Sequence, residues 1–239
     1  MRNHTFCVRS HQPTNALASW SVPTCRDVLP LCHLSMTPKA VIFDLGKVLV
    51  DFDYGIAARA LATRARVPVE EFKRLIDQTQ LLVTYELGQL ATDAFYKQVC
   101  EATGFCGDLD EFARLFGDIF TAIDPMIELH AQLRKSGVPT YVFSNTNELA
   151  VAHIRRTFPF FSNFDGYIYS FEERAMKPDE KIYAAVERRT GLSGPEILYI
   201  DDRLENIGTG RRHGWQVIHH SDPVATRKAV ITSGLPVHA

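Results

Sequence analysis

The chain has 239 residues, 46% hydrophobic and 23% charged, an ordinary composition for a globular protein. Its 26 Lys and Arg against 28 Asp and Glu leave a net charge of −2, which argues against non-specific nucleic-acid binding and gives no hold on an anionic membrane surface. No run approaches the roughly 18 apolar residues of a membrane span, and the five cysteines (Cys7, Cys25, Cys32, Cys100, Cys106) are scattered without zinc-finger spacing, as expected of reduced thiols in the cytoplasm.

Residues 1–36 hold one acid, Asp27, three arginines and no sustained apolar period. They read as a disordered extension or as the product of a start called too early, with Met36 the initiator; an acid-poor transit-like peptide is a third reading. From Lys39 onward the pattern changes. Ala40–Leu45, Val138–Ser144, Tyr167–Ser170, Ile197–Ile200 and Trp215–His219 are short runs rich in β-branched and aromatic residues, the signature of strands buried on both faces. Between them lie helical periods at Pro125–Ser136, Glu148–Phe158, Asp179–Thr190 and Leu204–Arg212. Strands alternating with helices predict a parallel, doubly wound α/β sheet with right-handed crossovers.

One connection is too long for a crossover. About 70 residues separate the first strand from Asp124-Pro125, with helical periods at Tyr54–Ala65, Val69–Thr84, Thr92–Thr103 and Asp110–Ala122. This predicts a small all-helical insertion, because a structureless loop of that length is improbable. The division is then a core of 37–53 and 124–239 with a cap of 54–123. The cap leaves the core just after the carboxyl end of the first strand, where open α/β sheets bind ligands, so it is placed to act as a lid.

The first strand ends in Phe43-Asp44-Leu45-Gly46 and the fourth in Tyr199-Ile200-Asp201-Asp202. One such acid is an ordinary helix cap, but three on one sheet edge repel each other unless a cation joins them. Few carboxylates, all oxygen donors, suit Mg²⁺ beside a substrate phosphate, and a carboxylate kept ionised there is a competent nucleophile toward phosphorus. Ser144, closing Val142-Phe143-Ser144-Asn145, offers a hydroxyl ahead of a helix start, although Asn145 and Glu148 also have capping-box spacing. Lys177, in Met176-Lys177-Pro178-Asp179 with Pro178 expected at the first helical position, is placed to offset charge on a transferring group.

This order resembles the haloacid dehalogenase-like hydrolase superfamily, over about residues 38–220: Asp44 in Phe-Asp-Leu-Gly, a helical insertion, Ser144-Asn145-Thr146, Lys177-Pro178, and Asp201-Asp202 followed by Asn206. The segment from Phe43 to Asp53 is similar to bacterial phosphatases acting on sugar phosphates. The resemblance implies a Mg²⁺-dependent phosphatase for a small phosphorylated metabolite, with Asp44 as nucleophile and metal ligand. It further implies the Gly46 carbonyl as a second ligand, Asp202 binding the metal directly, and Asp201 binding it through water. Ser144 and Asn145 would hold the phosphoryl group, Lys177 would stabilise its charge, and Asn206 would orient Lys177 or the metal shell. One position departs from the family: most of its phosphatases carry an aspartate, the general acid, where this chain has Gly46. Asp51 and Asp53 are the nearby candidates to replace it.

Two rival readings have their own signals. A metal-free 2-haloacid dehalogenase would use Asp44 but has no need of the pair at 201–202. A non-catalytic phosphate-binding or regulatory module fits the missing acid. Gly208-Thr209-Gly210 lies within a helical period and is not a dinucleotide motif. His219-His220 reads as a satisfied or surface pair, the cap aromatics Phe95, Tyr96, Phe112 and Phe116 as lid core, and Tyr85-Glu86 as a weak candidate for facing the site.

Overall fold

The computed structural model describes residues 36–77 and 79–238. The expectation for the first 35 residues, with Cys7, Cys25 and Cys32, lies outside these. The first strand, β1 (Ala40–Phe43), is followed by β2 (Val50–Phe52), α1 (Tyr54–Ala62), α2 (Val69–Asp77), α3 (Gln80–Glu86), α4 (Thr92–Thr103), α5 (Leu109–Gly117) and β3 (Phe120–Ala122). The chain then alternates through α6 (Asp124–Lys135), β4 (Thr140–Ser144), α7 (Glu148–Thr157), β5 (Gly166–Tyr169), α8 (Ser170–Glu173) and α9 (Glu180–Thr190). It ends with β6 (Ile197–Asp201), α10 (Leu204–Arg212), β7 (Gln216–His219) and α11 (Pro223–Thr232).

The main sheet is parallel throughout, in the order β5-β4-β1-β6-β7, as expected for a doubly wound fold. All four residues of β1 are fully buried, because both faces of the sheet are covered. Met126, Leu129 and Leu133 of α6, Ile154 of α7 and Val230 of α11 pack on one face. Ile182 and Val186 of α9 and Ile207 of α10 pack on the other. The chain runs outward from β1 through β4 to β5 and returns to β6 on β1's other side. The sheet's switch point is therefore between β1 and β6, where such folds open a crevice at the strands' carboxyl ends.

The insertion has its own core, with Leu61, Phe72, Ile76, Phe95, Phe112 and Phe116 buried together, so the cap aromatics are lid core. Tyr96 lies at its edge and donates its hydroxyl to the Gly107 carbonyl at 2.6 Å. Two expectations change here. The helix expected over Val69–Thr84 is two helices, with Thr79 in extended conformation between them. A continuous helix burying Phe72 and Ile76 would next turn positions 79, 80 and 83 inward; the break instead buries Leu82 and Tyr85 and leaves Val83 exposed. The helix expected over Asp110–Ala122 stops at Gly117, which packs so tightly on His153 that a Cβ there would fall 2.8 Å from the His153 Cβ. Phe120–Ala122 then pairs antiparallel with β2, which the sequence reading placed in no element. This two-stranded ribbon joins cap to core. No helix among the described residues is long and apolar enough to cross a membrane.

Candidate active site

Residue register assembles the site. Phe43 pairs with Ile200 on one side and Val142 on the other, and the Asp44 N–H donates to the Ile200 carbonyl at 2.9 Å. Asp44, Ser144 and Asp201 therefore emerge together at the carboxyl edge of three neighbouring strands. One carboxylate oxygen from each of Asp44, Asp201 and Asp202 lies within 4.8 Å of the others.

Lys177 closes the cluster from the loop before α9. Its Nζ stands 2.9 Å from Asp44 Oδ1 and 2.7 Å from Asp201 Oδ2, and donates to the Phe143 carbonyl at 3.0 Å. The three side chains are at most 10% exposed, so these are strong interactions in a poorly hydrated setting. Burial works against the Lys177 charge, but Asp201 and Asp44 outweigh it and raise its pKa. Burial likewise pushes Asp201 up, and the lysine's charge and hydrogen bond overturn that and hold it below the usual range.

Asp201 is saturated. It also accepts from the Tyr199 hydroxyl, from the Arg203 N–H at 2.8 Å and from Asn206 Nδ2 at 3.0 and 3.1 Å. Asp44 is held at Oδ1 by the Leu45 N–H at 2.6 Å and by Lys177. Burial, opposed by Lys177 and reinforced by Asp201, nevertheless raises its carboxyl to about 7. Asp202 is half-buried, and burial followed by the Asp201 charge raises it as well.

A cavity of about 130 Å³ opens over Asp44, Lys177 and Asp202, with Gly46, Ser144, Asn145 and Asn206 in its wall. All the sequence-predicted site residues thus converge, with Asp201 fully buried directly behind. Asn206 donates to Asp201, one of the two places expected for it. Two details depart from expectation. Asn147 caps α7, accepting from the Ala150 N–H at 3.0 Å, so the capping box expected from Asn145 and Glu148 does not form. Asn145 instead clamps the Lys177 backbone, donating from Nδ2 to its carbonyl at 3.0 Å and accepting its N–H at 2.8 Å. Pro178 precedes α9 rather than starting it: its Thr209-bonded carbonyl holds the loop, and Asp179 caps the helix.

Neither expected substitute acid reaches the cavity wall. Asp51 is exposed and paired with Lys47, and Asp53 caps α1 through the Gly55 N–H at 2.7 Å. Sequence reasoning missed Tyr199, though its spacing from Asp201 puts both on one face of β6. It also missed Lys47 and Arg203, which line the cavity mouth. His219 and His220 are satisfied, on the Asp202 carbonyl at 2.9 Å and Thr226 Oγ1 at 2.7 Å, and Gly208-Thr209-Gly210 lies inside α10.

The family model for haloacid dehalogenase-like hydrolases matches residues 38–214, about three quarters of the chain. The chain belongs to this family. It is 27% identical over 193 residues to sesquiterpene phosphatase astK of Aspergillus oryzae, covering 80% of this chain and 93% of that protein. It is 26% identical over 187 residues to the D-ribitol-5-phosphate phosphatase of Bacteroides thetaiotaomicron, covering 74% and 89%. The fold is shared with a haloacid dehalogenase-family enzyme of B. thetaiotaomicron solved with magnesium and inorganic phosphate, at a TM-score of 0.67 and 20% identity over 76% of this chain and 93% of that one.

Proposed function

We propose that this protein is a Mg²⁺-dependent phosphomonoesterase for small organic phosphates, with sugar and sugar-alcohol phosphates its first candidates. The observation that carries this reading is the meeting of Asp44, Asp201, Asp202 and the buried Lys177 at one strand edge. The relatives named as phosphatases, one of them for D-ribitol 5-phosphate, support the reaction class.

The donor set fits a hard divalent cation: three carboxylates with one lysine, which is shared between Asp44 and Asp201, and an Asp44 whose pKa burial raises to about 7 despite that lysine. Asp44, Asp202 and the Gly46 carbonyl would hold the ion, with Asp201 behind them. When bound, it would keep Asp44 ionised and neutralise phosphoryl oxygens.

The chain's own residues supply the remainder. Ser144 and Asn145 hold the phosphoryl group, and Lys177 balances the charge it develops. Asp44 attacks phosphorus in line, its oxygen–phosphorus bond forming as the ester oxygen–phosphorus bond breaks, and the departing alkoxide takes a proton from solvent, to which the hydrolytic water later returns one. Water then attacks the aspartyl-phosphate, restoring the carboxylate and releasing phosphate.

The test is phosphate release from a panel of metabolite phosphates with and without Mg²⁺. Turnover should require Mg²⁺, vanish in Asp44→Asn, and need more Mg²⁺ in Asp202→Asn. Phosphate release by Asp44→Asn at the wild-type rate would refute the mechanism, and labelled phosphate bound for hours without turnover would favour a regulatory module.

A further inference from the structure

A second cavity of about 280 Å³ runs from the acidic site to the underside of the cap. It shares Gly46, Phe52, Ser144, Asn145 and Arg203 with the first, so an ester whose phosphoryl group sits over Asp44 has its alcohol portion here. The cavity's size is near the lower end of small-molecule pockets, roughly 300–1,000 Å³, which admits a compact alcohol. Phe52, Leu82, Phe120 and Met176 supply apolar wall.

Two cap carboxylates face this space, and they are not equivalent. Asp77 is neutralised by Lys73 at 2.6 Å. Glu86, at the end of α3, has no ion-pair partner among the described residues. Asn147 stands beside it and lowers its pKa, and that residue's Oδ1 is committed to the start of α7. A carboxyl group has about four acceptor positions, so Glu86 retains capacity toward the cavity.

We propose that Glu86 is a specificity-determining residue, accepting a hydrogen bond from a hydroxyl of the leaving alcohol and so selecting polyhydroxylated phosphate esters over their deoxy counterparts. This deepens the phosphomonoesterase reading and rests on it. The physical reason is asymmetric: a half-buried acceptor that the substrate covers with a methylene loses its partner, whereas a hydroxyl there restores one. Burial, partly offset by Asn147, lifts the carboxyl to about 7, so at neutral pH the group is only partly ionised and carries less charge to desolvate than an ordinary carboxylate.

The experiment measures kcat/KM for three pairs: ribose 5-phosphate and 2-deoxyribose 5-phosphate, glucose 6-phosphate and 2-deoxyglucose 6-phosphate, glycerol 3-phosphate and propyl phosphate. Wild type should favour the hydroxylated member of at least one pair by about 10–100-fold, the scale of leaving a polar group removed from water without its hydrogen-bond partner. In Glu86→Leu that ratio should fall to near one, mainly through KM, and Glu86→Gln, which keeps an acceptor oxygen, should retain part of it. The ratio does not depend on how much of each variant folds. A Glu86→Leu ratio equal to wild type, or a wild type indifferent to every pair, overturns the proposal and leaves the phosphomonoesterase reading standing. Failure of wild type to hydrolyse any ester with Mg²⁺ overturns both.

Discussion

Phe52 fills the space into which a side chain at position 46 would grow: a Cβ on Gly46 would fall 2.8 Å from Phe52 Cε1. The ring is held there by Tyr54 and Phe120 and by Lys47, whose ammonium lies 4.9 Å from its centroid. The acid usual in the family's phosphatases is therefore absent, and a side chain in its place would have to displace the Phe52 ring. Gly46→Asp should lower stability by about 1–3 kcal/mol, the usual cost of overpacking, without raising kcat. An unchanged urea midpoint with faster turnover would contradict this.

Lys177 is the counter-charge for Asp44 and Asp201 in a site where all three side chains are buried. Lys177→Met leaves both carboxylates uncompensated, which costs about 3–5 kcal/mol when one partner of a buried pair is removed. Urea unfolding at pH 7 should show that loss, reduced by saturating Mg²⁺, with phosphate release abolished. A loss below 1 kcal/mol, the scale of an exposed pair, would show that water reaches the lysine.

The cap is seated on the core through Gly88, whose φ is +63° and whose Cβ would run into the Phe171 carbonyl oxygen. Gly137 has a φ of +77° and open space around it, so it isolates the conformational cost, about 1 kcal/mol. Gly88→Ala should destabilise more than Gly137→Ala and raise KM, because α3 and Glu86 must move with it. Equal midpoints for the two variants would remove the steric contribution.

Burial raises Glu86 to about 7 in the folded protein against an ordinary value of 4.5. The folded state holds this proton more tightly than the unfolded chain, so the group's stabilising contribution is present below pH 4.5 and is lost as pH rises through 7. Glu86→Gln removes that dependence. Its stability relative to wild type should therefore increase between about pH 4.5 and 7, read as the difference between urea midpoints across that range. A constant difference would place Glu86 in water.

Much of this arrangement was legible in the chain itself. Unbroken apolar runs ending in Asp44, Ser144 and Asp201-Asp202 marked the three central parallel strands and the carboxyl edge they share, because strands buried on both faces must be continuously apolar and crossover handedness leaves few ways to order them. The cap's helical character followed from its periodicity. The break at Thr79, the β2–β3 ribbon and the inward turn of Glu86 were decided by the tertiary structure. In each of these segments burial against distant residues selects the conformation over the local pattern. The same holds for Asn145, Tyr199 and Phe52, whose hydrogen-bonding and steric partners are long-range or packing-dependent and leave little mark on local sequence.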